Sequence, residues 1–259
     1  MRHVDDLGTP YDPGSPPQRV VSLVPSLTES VALSAPGLLV GATEWCTHPA
    51  DLEVARVKGT KWPDVEAIRA LAPDLVLANA EENRVEDIAA LRAAGVPVWV
   101  TAAATVPQAL DSLQHMLAAL EVAGPSWLAQ ARDVWSGPGA EPSRPVLVPI
   151  WRRPWMVLGR DTFAGDLLSR LGYANLYTGH ADRYPKIPIE QLRASGPSLV
   201  VLPDEPYLFT ADDGPEAFPG LSCALVSGRH LTWYGPSMVE ARTILADQLE
   251  AGRRGSVRS

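Results

Sequence analysis

A chain of 259 residues and 27.8 kDa is long enough for one large domain or two small ones, and 46% hydrophobic against 20% charged residues suits a globular protein with a substantial core. Its formal charge of −8, from 22 basic and 30 acidic residues with a pI near 5.1, argues against a nucleic-acid surface. No run of about eighteen apolar residues is present, which excludes a transmembrane helix and membrane insertion from the expectations.

The opening residues, MRHVDDLGTPYDPGSPPQ, read as a flexible, extended arm over 1–18. They lack the apolar segment of a signal peptide and a cysteine for lipid attachment, so the expected location is the cytoplasm. Cys46 and Cys223 are the only cysteines; one disulfide or two reduced thiols are the alternatives, and a cytoplasmic location favours thiols. Arg19 to Val24 is expected as the first strand, and Ser26 with Glu29 makes a capping box for the helix that follows. A short strand over 38–42 leads to a loop holding Trp45, Cys46 and His48. The turn 58–64 carries Trp62, and Asp64 is placed to cap the helix bearing Glu66. A strand over 75–78 passes through Asn79, Glu82 and Arg84 into a helix ending at Gly95, and Val96 to Val100 closes an N-terminal lobe over 19–104.

Residues 105–136 read as a linking helix. Leu110, Leu113, Leu117 and Leu120 share one helical face, with Thr105 as cap and Pro107 in the first turn. Gly124-Pro125 interrupts the pattern; Ser126 restarts it with Trp127, Leu128, Ala131 and Trp135 until Gly137-Pro138-Gly139. About thirty helical residues span roughly 45 Å, enough for a strut between two lobes. The second lobe, 137–250, starts with a strand over 145–150 and the loop Trp151-Arg152-Arg153-Pro154-Trp155. Pairing at 156–158, a helix over 161–171, the loop Arg183-Tyr184-Pro185 and a helix–strand unit follow. Then come Asp204 to Tyr207, a strand at 225–226, a loop with Trp233 and Tyr234, and a helix capped by Ser237 before a frayed tail over 251–259. Strands alternating with helices indicate an α/β fold of two Rossmann-like lobes with mainly parallel sheets.

An internal repeat supports two related lobes. VEAIRALAPDLVLAN from Val65 and IEQLRASGPSLVVLP from Ile189 match at six of fifteen positions at a constant offset of 124 residues. Each has the form of a short helix, a proline that ends it and a strand buried on both faces.

Ligands of open α/β sheets bind at loops after the carboxyl ends of strands. Five of the eight tryptophans fall on such loops or the adjoining turn: Trp45, Trp62, Trp151, Trp155 and Trp233. Any one of them is accounted for by packing on its own lobe; the set points to a cleft between two lobes lined by flat rings. Arg152, Arg153, Arg160 and Arg183 are placed to meet carboxylate or phosphate on a ligand.

The stretches RVVSLVPSLTES, WCTHP, GTKWPDVEAI, PDLVLANAEEN, the divider helix and IEQLRASGPSLVVL, in that order, resemble the substrate-binding proteins of metal-chelate ABC transporters. These are the helical-backbone metal receptors, and the resemblance is nearest to their vitamin B12 (cobalamin) binders; it covers roughly Arg19 to Glu250. It implies a class III periplasmic-binding-protein-like fold, no enzymatic activity, and a bound corrinoid, haem or ferric siderophore in place of an intrinsic cofactor. By the resemblance, Pro25 and Trp45 match cobalamin-contacting positions, and the tryptophan of the next turn is matched at Thr60 or, with a gap, at Trp62. Asn79 stands where cobalamin binders have a further tryptophan, and Trp233 falls in a loop with an aromatic. The ligand-facing set expected from loops and resemblance together is completed by His48, Glu82, Arg84, Trp151, Arg152, Trp155, Arg183, Tyr184, Glu205, Tyr207 and Tyr234. Glu66 and Glu190 correspond to the glutamates, one per lobe, that dock on a permease; each also stands in a helical first turn, where a carboxylate favours the dipole. The missing export signal favours the dipole reading.

Cys46-x-His48 offers two soft ligands where a zinc site needs three or four, and His115, His180 and His230 are scattered, so no metal site is expected. GxSxG, HExxH, P-loop and GxGxxG motifs are absent. Glu81, Glu82, Asp161, Asp204 and Glu205 read as solvated or arginine-paired carboxylates before an acid–base pair. The alternative function is a cytoplasmic, chelatase-like cofactor-handling enzyme on the same scaffold.

Overall fold

The computed structural model describes residues 3–12, 14–137 and 139–255. The chain separates into two compact units. The first holds the chain to Ala103 with Pro107–Arg132 and Tyr234–Pro236; the second holds Ala104–Val106, Asp133–Trp233 and the chain from Ser237 onward.

The first unit begins with an antiparallel hairpin of β1 (His3–Val4) and β2 (Pro10–Tyr11). It continues through β3 (Val20–Ser22), α1 (Pro25–Ser34), β4 (Leu39–Ala42), β5 (Ala55–Arg56), α2 (Val65–Ala70), β6 (Leu75–Asn79), α3 (Val85–Ala93) and β7 (Val98–Thr101). Five strands form a parallel sheet in the order β5-β4-β3-β6-β7. Strands β3, β6 and β7 are buried at every residue, which is why they read as unbroken apolar runs. Val21, Val76, Ala78, Val98 and Val100 pack with Ile68 of α2 and with Ile88 and Leu91 of α3.

Two local expectations change here. The expected arm is structured over the hairpin, because its two aspartates satisfy amides that an edge strand leaves open. Asp5 Oδ1 accepts from Leu7 N (3.0 Å) and Thr9 N (2.7 Å), and its other oxygen accepts from Arg92 and Val100 N. Asp6 Oδ2 accepts from Ala102 N at 2.7 Å and from the Ser112 hydroxyl. Residues 1, 2 and 13 of that stretch lie outside the described residues. The Ser26 cap is also corrected: Val24 holds the N-cap position, no side chain caps it, and Ser26 is buried inside α1. Pro25, whose fixed φ suits the first helical residue, sets the start instead. Asp64 does cap α2, its Oδ1 accepting from Ala67 N at 3.0 Å.

The central stretch is helical over α4 (Val106–Ala119) and α5 (Ser126–Trp135), and the interruption includes Gly124-Pro125. Leu110, Leu113, Leu117 and Leu120 are all buried, as their spacing requires.

The second unit contains β8 (Ala140–Leu147), a hairpin of β9 (Pro149–Arg152) and β10 (Trp155–Val157), α6 (Phe163–Arg170) and β11 (Leu171–Asn175). It continues with α7 (Ile189–Ala194), β12 (Leu199–Pro203), β13 (Cys223–Val226), α8 (Gly228–Thr232) and α9 (Met238–Gly255). Its parallel sheet has the order β11-β8-β12-β13. The helix expected over 161–171 starts at Phe163 behind a Thr162 cap, and β11 takes over at Leu171. Ser237 does not cap α9 with its side chain: the hydroxyl is buried without a hydrogen-bond partner among the described residues, and the backbone carbonyl accepts from Glu240 and Ala241. Helix α9 runs past Glu250 to Gly255; the rest of the expected tail, 256–259, lies outside the described residues.

The repeat is real in the backbone. α2 and β6 occupy 65–70 and 75–79, and α7 and β12 occupy 189–194 and 199–203, the same bounds at an offset of 124. The joints match too: Ala72 and Gly196 both have positive φ, at 44° and 70°. A Cβ on Gly196 would meet nothing within 4 Å. Gly196→Ala is therefore expected to cost only the left-handed backbone penalty, about 1 kcal/mol in urea unfolding. An unchanged midpoint would show that the turn relaxes without it.

Candidate ligand-binding site

In each sheet one pair of neighbouring strands has connections that leave in opposite directions. In the first unit the chain moves outward from β3 to β4 and β5, then returns to β6 and β7. In the second it moves from β8 to β11, then returns to β12 and β13. The crevice of such a sheet lies beyond the carboxyl ends of the pair at the switch. Pro25 and Asn79 to Arg84 follow β3 and β6; Trp151 to Trp155 and Asp204 to Tyr207 follow β8 and β12.

Three loops of the first unit are tied together. Glu44 N donates to Lys58 O (2.9 Å), Asn83 Nδ2 to Thr60 O (2.9 Å) and Lys61 Nζ to Glu81 O (3.0 Å). The tie leaves Trp45 and Trp62 each 68% exposed. Trp62 has φ 62°, a left-handed conformation that costs a bulky residue about 1–2 kcal/mol. Its surroundings hold it there. Trp62 N donates to Asp87 Oδ2 at 3.4 Å, and the Arg84 guanidinium lies 5.1 Å from the ring centre. Arg84 is in turn paired with Glu86 (3.5 Å) and Asp87 (3.7 Å). Glu82 is exposed, and Pro25 is half-buried.

Asn79 and Tyr234 are both buried, and their polar atoms tie the 79–84 loop to β7. Asn79 Oδ1 accepts from Glu81 N (2.8 Å) and Glu82 N (3.1 Å); its Nδ2 donates to Thr101 Oγ1 (3.1 Å) and to the Tyr234 hydroxyl. Tyr234 OH donates to Thr101 Oγ1 at 3.0 Å, and burial pushes its phenol well above the usual value. Asn83 and Thr101 complete this support, and the sequence pattern singles out neither; two asparagines four apart after a buried strand were the available signal. Cys46 and His48 do not act together. The Cys46 thiol is buried between the Thr28 and Thr43 hydroxyls (3.0 and 3.1 Å), and burial raises its pKa, while His48 is exposed beside Thr47. Among the described residues no three His, Cys, Asp or Glu side chains are grouped to hold a metal, and both cysteines are free thiols.

The second unit gathers its rings into a cluster. Trp151 meets Tyr207 edge to face (5.6 Å), Tyr207 meets Phe209 (4.7 Å), and Trp155 stacks on Phe209 (6.1 Å) and meets Phe218 edge to face (5.4 Å). Trp151 is 42% exposed at its edge. Arg152 is paired with both Asp213 and Glu216 and lies 5.5 Å from the Trp155 ring centre, so its charge is answered inside the unit. The Gly214 amide, and then Arg152, hold the Glu216 carboxyl below its usual range. Tyr207 OH donates to Asp213 Oδ2 at 2.7 Å. Arg153 and Lys186 are exposed around a depression of about 520 Å³ floored by Trp155, Ile187 and Pro188. The Arg183 guanidinium donates to Asp161 O; Tyr184, Glu205 and Trp233 are half-buried. Glu66 and Glu190 are exposed in the first turns of α2 and α7. Glu66 pairs with Arg69 at 3.1 Å, whereas the equivalent Arg193 donates to Ala217 O at 2.7 Å.

No family model matches the chain. It is 24% identical over 256 residues to a vitamin B12-binding protein of Pectobacterium carotovorum, covering 93% of this chain and 91% of that one. The crystal structure of the periplasmic vitamin B12 binding protein BtuF of Vibrio cholerae superposes with a TM-score of 0.72 at 20% identity, over 92% of this chain and 99% of that one. The periplasmic haem-binding protein BhuT, solved with two haems, gives 0.74 at 26% identity, over 92% and 100%. These relatives overturn the cytoplasmic location expected above: both solved neighbours are periplasmic proteins. The chelatase-like alternative gains no support from them. The chain has the class III periplasmic-binding-protein fold of the helical-backbone metal receptors, bearing out the resemblance read from its motifs, and its relatives are binding proteins, not enzymes.

Proposed function

We propose that this chain is the substrate-binding protein of a periplasmic ABC import system for a metal chelate of the corrinoid or haem class. The observation that carries the reading is the exposure of Trp45 and Trp62 on tied loops, in a chain that aligns with a vitamin B12-binding protein over 93% of its length. Indole faces held this way supply wide, flat, apolar contact to a macrocycle at little ordering cost. Trp151 supplies an exposed ring edge at the switch point of the second unit. Asn79 and Tyr234 serve as support for the loops, and Glu82, Arg84, Arg183, Tyr184 and Glu205 provide the polar surroundings.

The test is a titration followed by tryptophan fluorescence with cyanocobalamin, hemin and a ferric siderophore as separate probes. At least one is expected to quench and bind saturably, and Trp45→Ala or Trp62→Ala to weaken it by about fivefold or more, the size of a lost aromatic contact. Absence of quenching and of any melting-temperature shift with all three probes at saturating concentration would overturn the reading.

Under the same proposal Glu66 and Glu190 dock on cationic side chains of the permease, since the ground for preferring the dipole reading falls with the cytoplasmic location. A Glu66→Arg/Glu190→Arg double variant is expected to fold, keep its chelate affinity and lose the permease in a pull-down. If the double variant still captures the permease, the carboxylates act only on their helix ends, where Glu→Gln costs about 0.3–1 kcal/mol.

A further inference from the structure

We infer that Glu240 is a positioning residue: through His230 and Arg229 it sets the orientation of the Trp233 ring and thereby the chelate affinity of the second unit. The inference rests on the reading of Trp233 as a ligand-facing residue. Helix α8 has only five residues, too few to hold its own geometry. It is held from outside at two points and pinned once to its own N-cap. Gly228 N donates to Asp204 Oδ1 at 2.6 Å, Ser227 N donates to Gln248 Oε1 at 3.0 Å, and Ser227 Oγ lies 2.8 Å from His230 Nδ1. On the side of α9, a single oxygen, Glu240 Oε1, meets both His230 Nε2 (3.0 Å) and Arg229 Nη1 (3.4 Å). The Arg229 guanidinium then lies 5.9 Å from the Trp233 ring centre, and Trp233 N donates to Arg229 O at 3.1 Å. The Glu240 carboxylate is therefore in contact with the cation that covers the ring. The hydrogen bond from His230, and after it the one from Arg229, hold the Glu240 carboxyl below its usual range, so it is charged at neutral pH.

Ser227, His230 and Glu240 have the residue types of a nucleophilic triad, but the arrangement opposes that use. The nearest candidate oxyanion donor, Gly228 N, already donates to a carboxylate, which would repel a developing negative charge. A purely structural role is also a poor account. The Glu240 side chain is 56% exposed, and exposed ion pairs contribute little to stability. Its removal should leave folding nearly intact while taking away the hold of α9 on Arg229 beside Trp233.

The experiment uses the full chain labelled with 5-fluorotryptophan, the Trp233 fluorine resonance being assigned by Trp233→Phe. Glu240→Ala is expected to shift or broaden that resonance while those of the buried Trp99 and Trp135 stay in place, with melting nearly unchanged. The dissociation constant of whichever of hemin or cyanocobalamin binds the wild type should rise about three- to tenfold, the effect of one lost polar contact. Arg229→Met should do the same, and the double variant should be no worse than either single one. An unmoved Trp233 resonance in Glu240→Ala overturns the inference, as does a moved resonance with unchanged affinity. Should the wild type bind none of hemin, cyanocobalamin and the ferric siderophore, the proposed function fails, while the fluorine spectrum still decides whether Glu240 orients the ring.

Discussion

Asn79→Leu should lower the unfolding free energy by about 3 kcal/mol or more and disorder the 79–84 loop that leads to Arg84, together with the Trp62 turn tied to it. Leucine has the branching of asparagine with larger methyl ends, so no cavity is created and overpacking adds to the polar loss. The buried Tyr234 and Thr101 hydroxyls lose the donor they share, and the Glu81 and Glu82 amides lose their acceptor. A buried polar group left without its partner costs about 1–3 kcal/mol. The hydroxyls keep the bond between them (3.0 Å) and the Thr101 donation to Ala78 O, and the two amides are only part-buried, so the loss is the sum of four hydrogen bonds at about 1 kcal/mol each, no one of which dominates. Against a typical stability of about 5–15 kcal/mol this is a large fraction. Urea unfolding gives the stability change, and Trp62 quenching by acrylamide reports the loop. A loss below about 1 kcal/mol would show that Asn83, which accepts from Asn79 N and donates to Thr60 O, holds the loop alone.

Much of this fold is legible in the sequence because its strands are buried on both faces. The apolar runs of β3, β6 and β12 are set by that burial alone, and the repeat fixes two helix–strand units to the residue. Asp64 is legible as a cap because its carboxylate has an oxygen to spare: Oδ1 accepts from Ala67 N while Oδ2 pairs with Lys58 at 2.8 Å. The misreadings have a common cause: one residue type serves two physical roles, and only tertiary neighbours decide between them. Ser26 and Ser237 have the chemistry of caps, but Pro25 starts one helix and the Ser237 hydroxyl is buried. The contact between Asn79 and Tyr234 crosses a separation of 155 residues, so no local pattern reveals it. Arg152 reads as a free cation for an anionic ligand until Asp213 and Glu216, about sixty residues on, are seen to answer its charge. Trp45, Trp62 and Trp151 are exposed, as positions on loops allow, because exposure of a large ring needs no distant partner.

Gly159→Ala is the corresponding large effect in the second unit, and here the cost is steric. A Cβ on Gly159 would stand 2.3 Å from Asp182 O, 2.8 Å from Arg183 O and 2.9 Å from Pro185 Cδ. None of these is the end of a flexible side chain, so the segment 182–185 must move as a piece. Moving it stretches the bond from Gly159 N to Arg183 O (2.8 Å) and disturbs the Asn175 amide, which donates to Leu158 O (2.9 Å) and Gly159 O (3.0 Å). Overpacking costs about 1–3 kcal/mol and a lost buried hydrogen bond about 1 more, so about 3 kcal/mol is expected in total. For a protein of this size that corresponds to a melting-temperature drop of about 6–12 °C. Gly95→Ala is the control: its φ is 79° and nothing lies within 4 Å of the added Cβ, so only the backbone penalty of about 1 kcal/mol applies. Because the displaced segment carries Arg183 and Tyr184, chelate affinity should fall in Gly159→Ala and hold in Gly95→Ala. If the two variants melt together, the close approach of Gly159 to the 182–185 segment is not what fixes that loop.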